Sequence, residues 1–284
     1  MDKIKLITDS TCDLPETLLK EYTIDVIPLY VNFEETSYFD GIDLTPEKMY
    51  KIVEETGVFP KTAAASPGAF LETFERYIKE GYKIIYIGIG SKFSGTFLSA
   101  KTAKDMIETE DIYLIDSQNL SSGSGLLLLK AASFIKKGNN AETVVEKVTA
   151  LVPKVRSQFV IDTFDYLHKG GRINGLQNLM GTMLRLKPII KVVNGEMQVG
   201  KKARINTKNG AKILVQEVLD LNERLDPEFL MITHSFADET YEYIYEALKG
   251  KVKVKVKNIY ESHAGCVISS HCGKGTIGIL YILR

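Results

Sequence analysis

Short apolar runs alternate with amphipathic stretches along the first half of the chain. The apolar runs have the length of buried strands, and the stretches between them have the 3.6-residue period of helices. This alternation predicts a parallel sheet that is covered by helices on both faces. The predicted strands of this half are residues 4–8, 25–33, 83–89 and 112–116.

Three helices of this half begin at local capping signals. A Thr-Pro pair at 45–46 and a Ser-Pro pair at 66–67 predict helices that run to about residues 55 and 80, because proline is tolerated where a helical N–H has no partner. Asp13 is followed three positions later by Glu16. This spacing predicts a capping box in which Asp13 is the N-cap.

The pattern changes near residues 153–157. The segments 188–193 and 196–201 are separated by Asn194-Gly195, which supplies the positive φ angles of a type I′ turn and therefore predicts a hairpin. Alternating lysine and valine at 251–257 predict a half-exposed strand. The other predicted elements are strands at 158–163, 229–233 and 276–283, helical segments at 165–185, and helices at 207–224 and ending at 248.

These patterns predict an α/β protein of two domains. We place the boundary at residue 156. Residues 1–156 form the N-terminal domain with a mainly parallel sheet between helices, and residues 157–284 form a C-terminal domain with a mixed sheet. A length of 284 residues agrees with two domains that share a cleft.

Composition excludes several classes of function. Lys and Arg balance Asp and Glu at 36 each, whereas general binding of nucleic acid or anionic membrane rewards a basic excess. Three cysteines are too few, and odd in number, for a disulfide framework. The first residues enter a strand pattern directly, without a signal peptide, and apolar runs such as 126–129 are far shorter than a membrane span. We therefore expect a cytoplasmic protein.

The segment from Gly88 to Thr96 carries the most informative chemistry. It leaves a predicted strand and enters a helix that runs to about residue 107. Free N–H groups and the dipole at such a start attract an anion, Ser94 adds a hydroxyl donor, and Gly95 lets a ligand approach the backbone. An N-cap serine without a ligand explains the same residues. A serine nucleophile is disfavoured because the Gly-x-Ser-x-Gly pattern is absent.

A second loop of small and hydroxyl residues spans 61–68. In a parallel sheet this loop and the Ser94 loop open on the same edge, where ligands usually bind. Ser66 is explained as the cap of the following helix, whereas Thr62 has no such explanation and is a candidate ligand contact.

His271 lies in a third segment of interest, residues 271–276. Its Gly-Lys-Gly-Thr sequence resembles a phosphate loop, but Ile268 stands where that motif needs glycine. The set His263, Cys266, His271 and Cys272 has no common zinc spacing, so we predict no metal site. His271 remains as a hydrogen-bond donor, or as a cation, that faces an acidic ligand. A structural histidine is the alternative.

Three further polar positions have two explanations each. Asp9 and Asp116 end predicted strands at the ligand edge, where paired carboxylates serve acid–base chemistry but also cap helices. Arg172 follows Gly170-Gly171 and offers a guanidinium suited to carboxylate or phosphate. A helix C-cap followed by a solvated arginine explains this segment equally well.

Taken in order, these segments resemble the DegV family over the whole chain. The resemblance implies two α/β domains with one long-chain fatty acid in a tunnel between them, and no cofactor. It further implies that members can act as the fatty-acid-binding subunit of a bacterial fatty acid kinase, whose separate ATP-using subunit forms acyl phosphate for phospholipid synthesis. The matching pieces are Thr8-Asp9-Ser10, 39–45, Thr62 with Ser66-Pro67-Gly68, 91–96, Gly170-Gly171-Arg172-Ile173, 186–190 and His271-x-Gly273-x-Gly275.

The resemblance also implies roles for individual residues. Thr62 and Ser94 hold the carboxylate, the Gly95 amide lies nearby, His271 closes the polar end, and Arg172 stands at the mouth where the kinase docks. We expect a monomer that contacts membranes only transiently. Apolar residues that either line the tunnel or fill the core are Leu176, Leu179, Met180, Met183, Leu184 and Leu186.

This chain departs from the usual family pattern in three places. The departures are Ala63-Ala64-Ala65, Ser235-Phe236 after His234, and Cys272 with Lys274. The sequence alone leaves a second class of function open, an enzyme for acyl or phosphoryl transfer that uses the same cleft. Such an enzyme needs a base beside its nucleophile, a metal, or a nucleotide loop.

Overall fold

The computed structural model describes residues 2–172, 176, 186–204 and 207–284. Most boundaries agree with the sequence predictions to within a few residues. The strands are β1 (Ile4–Asp9), β2 (Asp25–Ile27), β3 (Tyr30–Phe33), β4 (Thr36–Phe39), β5 (Lys61–Ala63), β6 (Lys83–Gly88), β7 (Ile112–Asp116), β8 (Val155–Val160), β9 (Leu186–Val193), β10 (Glu196–Arg204), β11 (Leu225–Ser235), β12 (Ile259–His263) and β13 (Thr276–Leu283). The helices are α1 (Glu16–Glu21), α2 (Pro46–Thr56), α3 (Pro67–Lys79), α4 (Thr96–Asp105), α5 (Ser122–Lys136), α6 (Ala141–Leu151), α7 (Asp165–Lys169), α8 (Thr207–Asp220), α9 (Asp238–Leu248) and α10 (Cys266–Cys272).

The first half contains the predicted parallel sheet, in the order β2-β1-β6-β7. Side chains of β6 alternate between its two faces, as the period of two requires. Ile84 and Tyr86 pack under α3 and α4, whereas Ile85 and Ile87 pack under α5 and α6. The prediction of a sheet sandwiched by helices is confirmed.

The second half contains a six-stranded sheet in the order β10-β9-β8-β13-β11-β12. Only β11 and β12 pair in parallel there, so the sheet is mixed, as predicted. Helices α8 and α9 cover its outer face. Its inner face packs on α5, and one apolar cluster joins Ile85, Leu127 and Leu280. Helix α5 therefore lies between the two sheets and links them.

The predicted strand at 25–33 is two strands that belong to different sheets. Strand β2 ends at Ile27 in the parallel sheet, and β3 joins β4 and β5 in a small antiparallel sheet. Pro28 separates them and has no N–H to donate to a ladder. The small sheet carries Thr62 on β5.

Two local predictions are wrong for the same physical reason. Asp13 does not cap α1, whose N-cap is Pro15, because its carboxylate is bonded to distant groups. The run at 251–257 is not a strand, because two of its backbone groups form hydrogen bonds with the Asn222 side chain. The Asn222 amide donates to the Lys251 carbonyl, and its oxygen accepts from the Lys253 amide. In both cases, groups predicted to bond to their neighbours in sequence form hydrogen bonds with residues that are distant in the chain.

The other capping and turn predictions are confirmed. Thr45 and Ser66 accept hydrogen bonds from helical N–H groups at the starts of α2 and α3. Asn194 and Gly195 have φ of 53° and 76°, as a type I′ turn requires. The predicted helical segments at 165–185 are observed as α7, and residues 173–175 and 177–185 lie outside the described part. None of the described helices is long and apolar enough to cross a membrane.

Candidate functional site

A cavity lies between the two halves of the molecule. Its volume is about 100 Å³. Apolar side chains supply most of its wall, including Leu29, Ile89, Phe93, Leu120, Phe159, Leu167, Met197, Val267, Ile268 and Leu280. Of the predicted site residues, Thr62, Ser94, Arg172 and His271 line this one cavity.

Thr62 and His271 form a polar contact in the wall of the cavity, and the group Thr62, Ser94 and His271 is named its polar end. Thr62 Oγ1 lies 2.9 Å from His271 Nε2. Strand β5 positions Thr62 through its pairing with β3, and the last turn of α10 positions His271. The two residues come from opposite halves of the chain, so this end of the cavity is assembled only in the folded protein.

The His271 ring is neutral at physiological pH. Burial, with a smaller contribution from the positive charge of Arg172, lowers the pKa of His271 to about 4. Its Nδ1 is buried and has no hydrogen-bond partner among the described residues. Gly170 allows the ring to approach, because a side-chain carbon there would come within 2.2 Å of Nδ1. The cationic role considered for His271 therefore does not fit the ligand-free site.

Ser94 lies at the entrance to α4. Its hydroxyl accepts a hydrogen bond from the Thr96 amide at 3.2 Å and lies 2.9 Å from Thr96 Oγ1. Gly95 is the N-cap residue of α4, and a side-chain carbon added there would touch the Ala64 side chain at 3.9 Å. The Thr62 loop and the Ser94 loop therefore adjoin, as their positions at one sheet edge predict.

Asp9 supports the Ser94 loop from below. It is fully buried, and Oδ2 accepts hydrogen bonds from the Ile89 amide at 2.9 Å and the Tyr86 hydroxyl at 2.8 Å. Burial raises the pKa of Asp9. Asp116 instead accepts from the Ser91 amide and hydroxyl. The two aspartates are therefore structural partners of loops rather than an acid–base pair.

Arg172 lies at the rim of the cavity. Its side chain is exposed and donates to the Gly170 carbonyl at 3.0 Å. It also lines an open recess outside the cavity, together with Lys92 and Glu196. The guanidinium is therefore available to groups outside the protein as well as to the polar end of the cavity.

The hydroxyl groups of the cavity wall already have partners inside the protein. Ser121 donates to Asp13, and Thr233 lies 2.5 Å from the Ser122 hydroxyl. Ser235 lies 2.7 Å from the Tyr50 hydroxyl. Because these hydroxyls already have hydrogen-bond partners, an apolar ligand can cover them without leaving a polar group unpaired.

The cysteine and histidine set considered for a metal is not assembled. Cys266 Sγ donates to the Leu44 carbonyl, and burial raises the pKa of Cys272 to about 12. His263 instead lies near His234 and Glu261. His234 meets Glu261 through Nε2 at 3.0 Å and accepts from a backbone amide through Nδ1 at 3.2 Å, so both its ring nitrogens have structural partners.

Sequence reasoning missed most of the apolar wall. Phe93, Phe159 and Met197 have no sequence signal that separates a cavity wall from a core. Leu176 is buried in an apolar cluster with Phe159 and Leu167. The other residues expected to line a tunnel, Leu179, Met180, Met183, Leu184 and the side chain of Leu186, lie outside what the structure describes.

Comparisons with known proteins agree on one family. The family model described as "Uncharacterised protein, DegV family" matches residues 3–284. A DegV domain-containing protein of Clostridium acetobutylicum is 37% identical over 282 residues, which are 99% of each chain. This is a match along the full length of both chains.

Solved structures extend the match to three dimensions. A DegV family protein from Thermus thermophilus, described by its fatty acid binding, has a TM-score of 0.91 at 28% identity and covers 99% of this chain and 100% of its own. A stearic acid-binding protein from Eubacterium ventriosum has a TM-score of 0.86 at 26% identity and covers 100% of this chain and 98% of its own. The chain belongs to the DegV family.

Proposed function

We propose that this protein binds one long-chain fatty acid in the cavity and presents its carboxylate to a separate kinase subunit. The observation that carries the proposal is a mostly apolar cavity between the two halves that Thr62, Ser94 and His271 all line, with Thr62 in contact with His271. The structures from Thermus thermophilus and Eubacterium ventriosum support it, since both are described as fatty-acid-binding. In this proposal, residues 1–156 supply the carboxylate loops and residues 157–284 supply much of the wall and His271.

The energetics of an acyl chain agree with such a site. Each methylene removed from water contributes about 0.8 kcal/mol, so roughly fifteen methylenes give about 12 kcal/mol before ordering and association costs. A carboxylate in the same apolar space is costly without donors. The hydroxyls of Thr62 and Ser94 and the amide of Gly95 are the donors that we assign to it.

The neutral state of His271 defines its part in the proposal. In the tautomer that carries its proton on Nε2, His271 donates to Thr62 Oγ1. Thr62 then keeps its own hydroxyl proton for the ligand carboxylate. In this arrangement His271 strengthens the carboxylate site without bringing a positive charge into it.

The kinase step needs a second protein. The ligand carboxylate attacks the γ-phosphorus of ATP, the bond to the β-phosphate oxygen breaks, and the products are acyl phosphate and ADP. Nothing in this chain matches a phosphate-binding loop. Within the described residues, the Ser94 hydroxyl is bonded only at Thr96, which supports binding rather than nucleophilic catalysis.

Lipid analysis tests the proposal directly. Protein purified from a bacterial host is extracted with solvent, and the released lipid is weighed and identified by mass spectrometry. We expect about one fatty acid per chain. The delipidated protein is then titrated with palmitate. Lipid-free protein that also ignores palmitate, or turnover of ATP or a model ester that disappears in Ser94→Ala, would overturn the proposal.

A further inference from the structure

Helix α10 begins without a cap from its own segment. Its N-cap residue is Gly265, which has no side chain to offer. Two aspartates from the first half of the chain take that place. Asp13 accepts a hydrogen bond from the Gly265 amide at 2.9 Å, and Asp40 accepts one from the Cys266 amide at 2.7 Å. The start of α10 is therefore held by carboxylates that lie more than two hundred residues away in sequence.

The body of α10 is also embedded in the first half. Cys266 and Val267 belong to the apolar cluster of the parallel sheet, and Cys266 Sγ donates to the Leu44 carbonyl at 3.2 Å. The Tyr50 hydroxyl donates to the Ser269 carbonyl at 3.3 Å. Two residues further on, the same helix carries His271, which contacts Thr62. The placement of His271 thus depends on how the first half holds this one short helix.

Both carboxylates are placed by tight turns. Asp13 has φ of 47°, in the left-handed region that aspartate tolerates better than most residues. Asp40 precedes Gly41, whose φ is 74°, and the Asp40 amide donates to the Leu29 carbonyl at 2.9 Å. These turns explain two sequence features that have no role in the ligand site. One is Asp13, which was predicted to cap α1, and the other is the Phe-Asp-Gly motif at 39–41.

The two buried carboxylates are not explained by a contribution to the stability of the folded protein. Asp13 and Asp40 are 7% and 3% exposed, and a Cβ added at Gly265 would lie 3.3 Å from an oxygen of each. Close burial of two acids is costly, and apolar replacements of buried charges are often neutral or stabilising. Burial raises the pKa of Asp40 to about 6 and that of Asp13 well above its usual range. What the pair supplies is a defined position for two successive amides of α10.

We propose that Asp13 and Asp40 are positioning residues that fix α10 so that His271 meets Thr62 at the polar end of the cavity. Asp13 has a second effect on the same site, since it also accepts from Ser121, a residue of the cavity wall. This inference rests on the proposed fatty-acid-binding function for its consequence on affinity, but its structural part stands without it.

The test uses Asp13→Ala and Asp40→Ala, with Asp13→Asn and Asp40→Asn as conservative variants that keep an oxygen acceptor. The matched control is Asp25→Ala, which removes a carboxylate paired with Lys5 at the start of β2. The first readout is the titration of the His271 ring, followed by NMR and assigned with His271→Asn. We expect the alanine variants to raise the His271 midpoint from about 4 toward its ordinary value of 6.5, the asparagine variants to raise it less, and the control to leave it unchanged.

The second readout is the affinity of delipidated protein for palmitate. Each alanine substitution should weaken binding by about tenfold in the wild-type background. In His271→Ala, Asp40→Ala should cost less than about twofold, since residues that act through one partner are not additive, whereas Asp13→Ala should keep part of its loss because it also removes the acceptor of Ser121. An unchanged His271 midpoint together with additive losses overturns the proposal. If wild-type protein ignores palmitate, the proposed function fails, and the His271 titration still decides the positioning role.

A further variant covers the case in which the aspartate variants do not fold. Gly265→Ala keeps both carboxylates but crowds them, and the backbone at Gly265 has φ of −63°, which alanine adopts freely. We expect it to raise the His271 midpoint in a protein whose circular dichroism is that of wild type. A folded Gly265→Ala protein with an unchanged midpoint overturns the proposal.

Discussion

Thr62 Oγ1 lies 2.9 Å from His271 Nε2, although 209 residues separate them in the chain. These two atoms share one hydrogen bond, and which of them is the donor decides what the site can bind. If His271 is the donor, the Thr62 hydroxyl still has a proton for an acceptor such as a carboxylate. If Thr62 is the donor, its proton is lost to the ligand. The pair therefore gives the two residues a shared effect on any ligand at the polar end.

We expect Thr62→Ala, Ser94→Ala and His271→Ala each to weaken the binding of a long-chain fatty acid by about ten- to a hundredfold. Removal of the Thr62 or Ser94 hydroxyl leaves a buried carboxylate underpaired at a cost of about 1–3 kcal/mol, and removal of His271 takes away the group that leaves the Thr62 proton free for the carboxylate. Because Thr62 and His271 share one hydrogen bond, their double variant should lose less than the sum of the two single losses. Titration of delipidated protein measures all of these affinities.

A fatty alcohol of equal chain length is the control ligand for this series. It fills the same apolar wall but brings no charge, so the variants should differ less from wild type with the alcohol than with the acid. Strictly additive losses that are equal for acid and alcohol would mean that these residues only shape the loops. The carboxylate would then bind elsewhere.

Local signals in the sequence were reliable where neighbours in the chain decide the structure. Thr45 and Ser66 cap helices a few residues away, and the Asn194-Gly195 turn depends only on its own φ angles. Asp13 shows the limit of such signals. Its carboxylate can cap a helix, but it accepts a hydrogen bond from Gly265 at the start of the distant helix α10 instead of capping α1.

The site was predictable in part for a similar reason. Hydroxyl and glycine loops at the ends of parallel strands predict a polar edge, and Thr62 and Ser94 line the cavity there. The partner of Thr62 was not derivable from spacing, since α10 reaches it only through the packing of the two halves. The apolar wall was not derivable either, because Phe159 and Met197 have the same pattern as core residues.

The stability of the protein should fall in acid partly because of His271. Its pKa is about 4 in the folded state and 6.5 when unperturbed, so the unfolded chain binds a proton first as the pH falls. The penalty begins near pH 6.5, grows down to about pH 4 and reaches about 3 kcal/mol there. Asp40 acts in the opposite direction, because its raised pKa of about 6 makes the folded state take up a proton before the unfolded one.

His271→Asn isolates this contribution. We expect the difference in unfolding free energy between wild type and His271→Asn to change by about 3 kcal/mol in favour of the variant between pH 7.5 and pH 4. Urea unfolding of the ligand-free proteins, followed by circular dichroism at several pH values, measures it. Parallel pH profiles for the two proteins would show that the pKa of His271 is not lowered in the folded state.

Arg172→Ala should separate binding from coupling. The side chain is exposed at the rim and bonded only to the Gly170 carbonyl among the described residues, so the acyl chain gains little from it. A guanidinium in that place suits a transferring phosphoryl group or an acidic partner surface. We expect unchanged affinity for fatty acid and at least about tenfold slower acyl phosphate formation with a kinase subunit. A variant that loses lipid but couples normally would place Arg172 in the pocket instead.

Release of the ligand should depend on the rim of the cavity, where an exposed ion pair lies over two apolar side chains. Lys92 Nζ lies 2.8 Å from Glu196 Oε1, and both side chains are more than half exposed. The next residue on each segment, Phe93 and Met197, faces inward, and both line the cavity and the recess outside it. The ion pair thus lies over an apolar contact between the Ser94 loop and the β9–β10 hairpin, in which Phe93 packs against the cluster that contains Met197.

Reversing one charge should open this rim without altering the cavity. An exposed ion pair contributes little, so Lys92→Glu is expected to speed fatty acid release by up to about fivefold, while the association rate changes less. The exchanged pair Lys92→Glu with Glu196→Lys should restore the wild-type rate, because it keeps the attraction and reverses only its direction. High salt should remove the difference between the single variant and wild type, since exposed charges are screened. Stopped-flow displacement of a fluorescent fatty acid measures the rate, and Lys20→Glu, which breaks the exposed pair with Glu16 on α1, is the matched control. Equal release from the single and exchanged variants would show that the ion pair does not hold the rim.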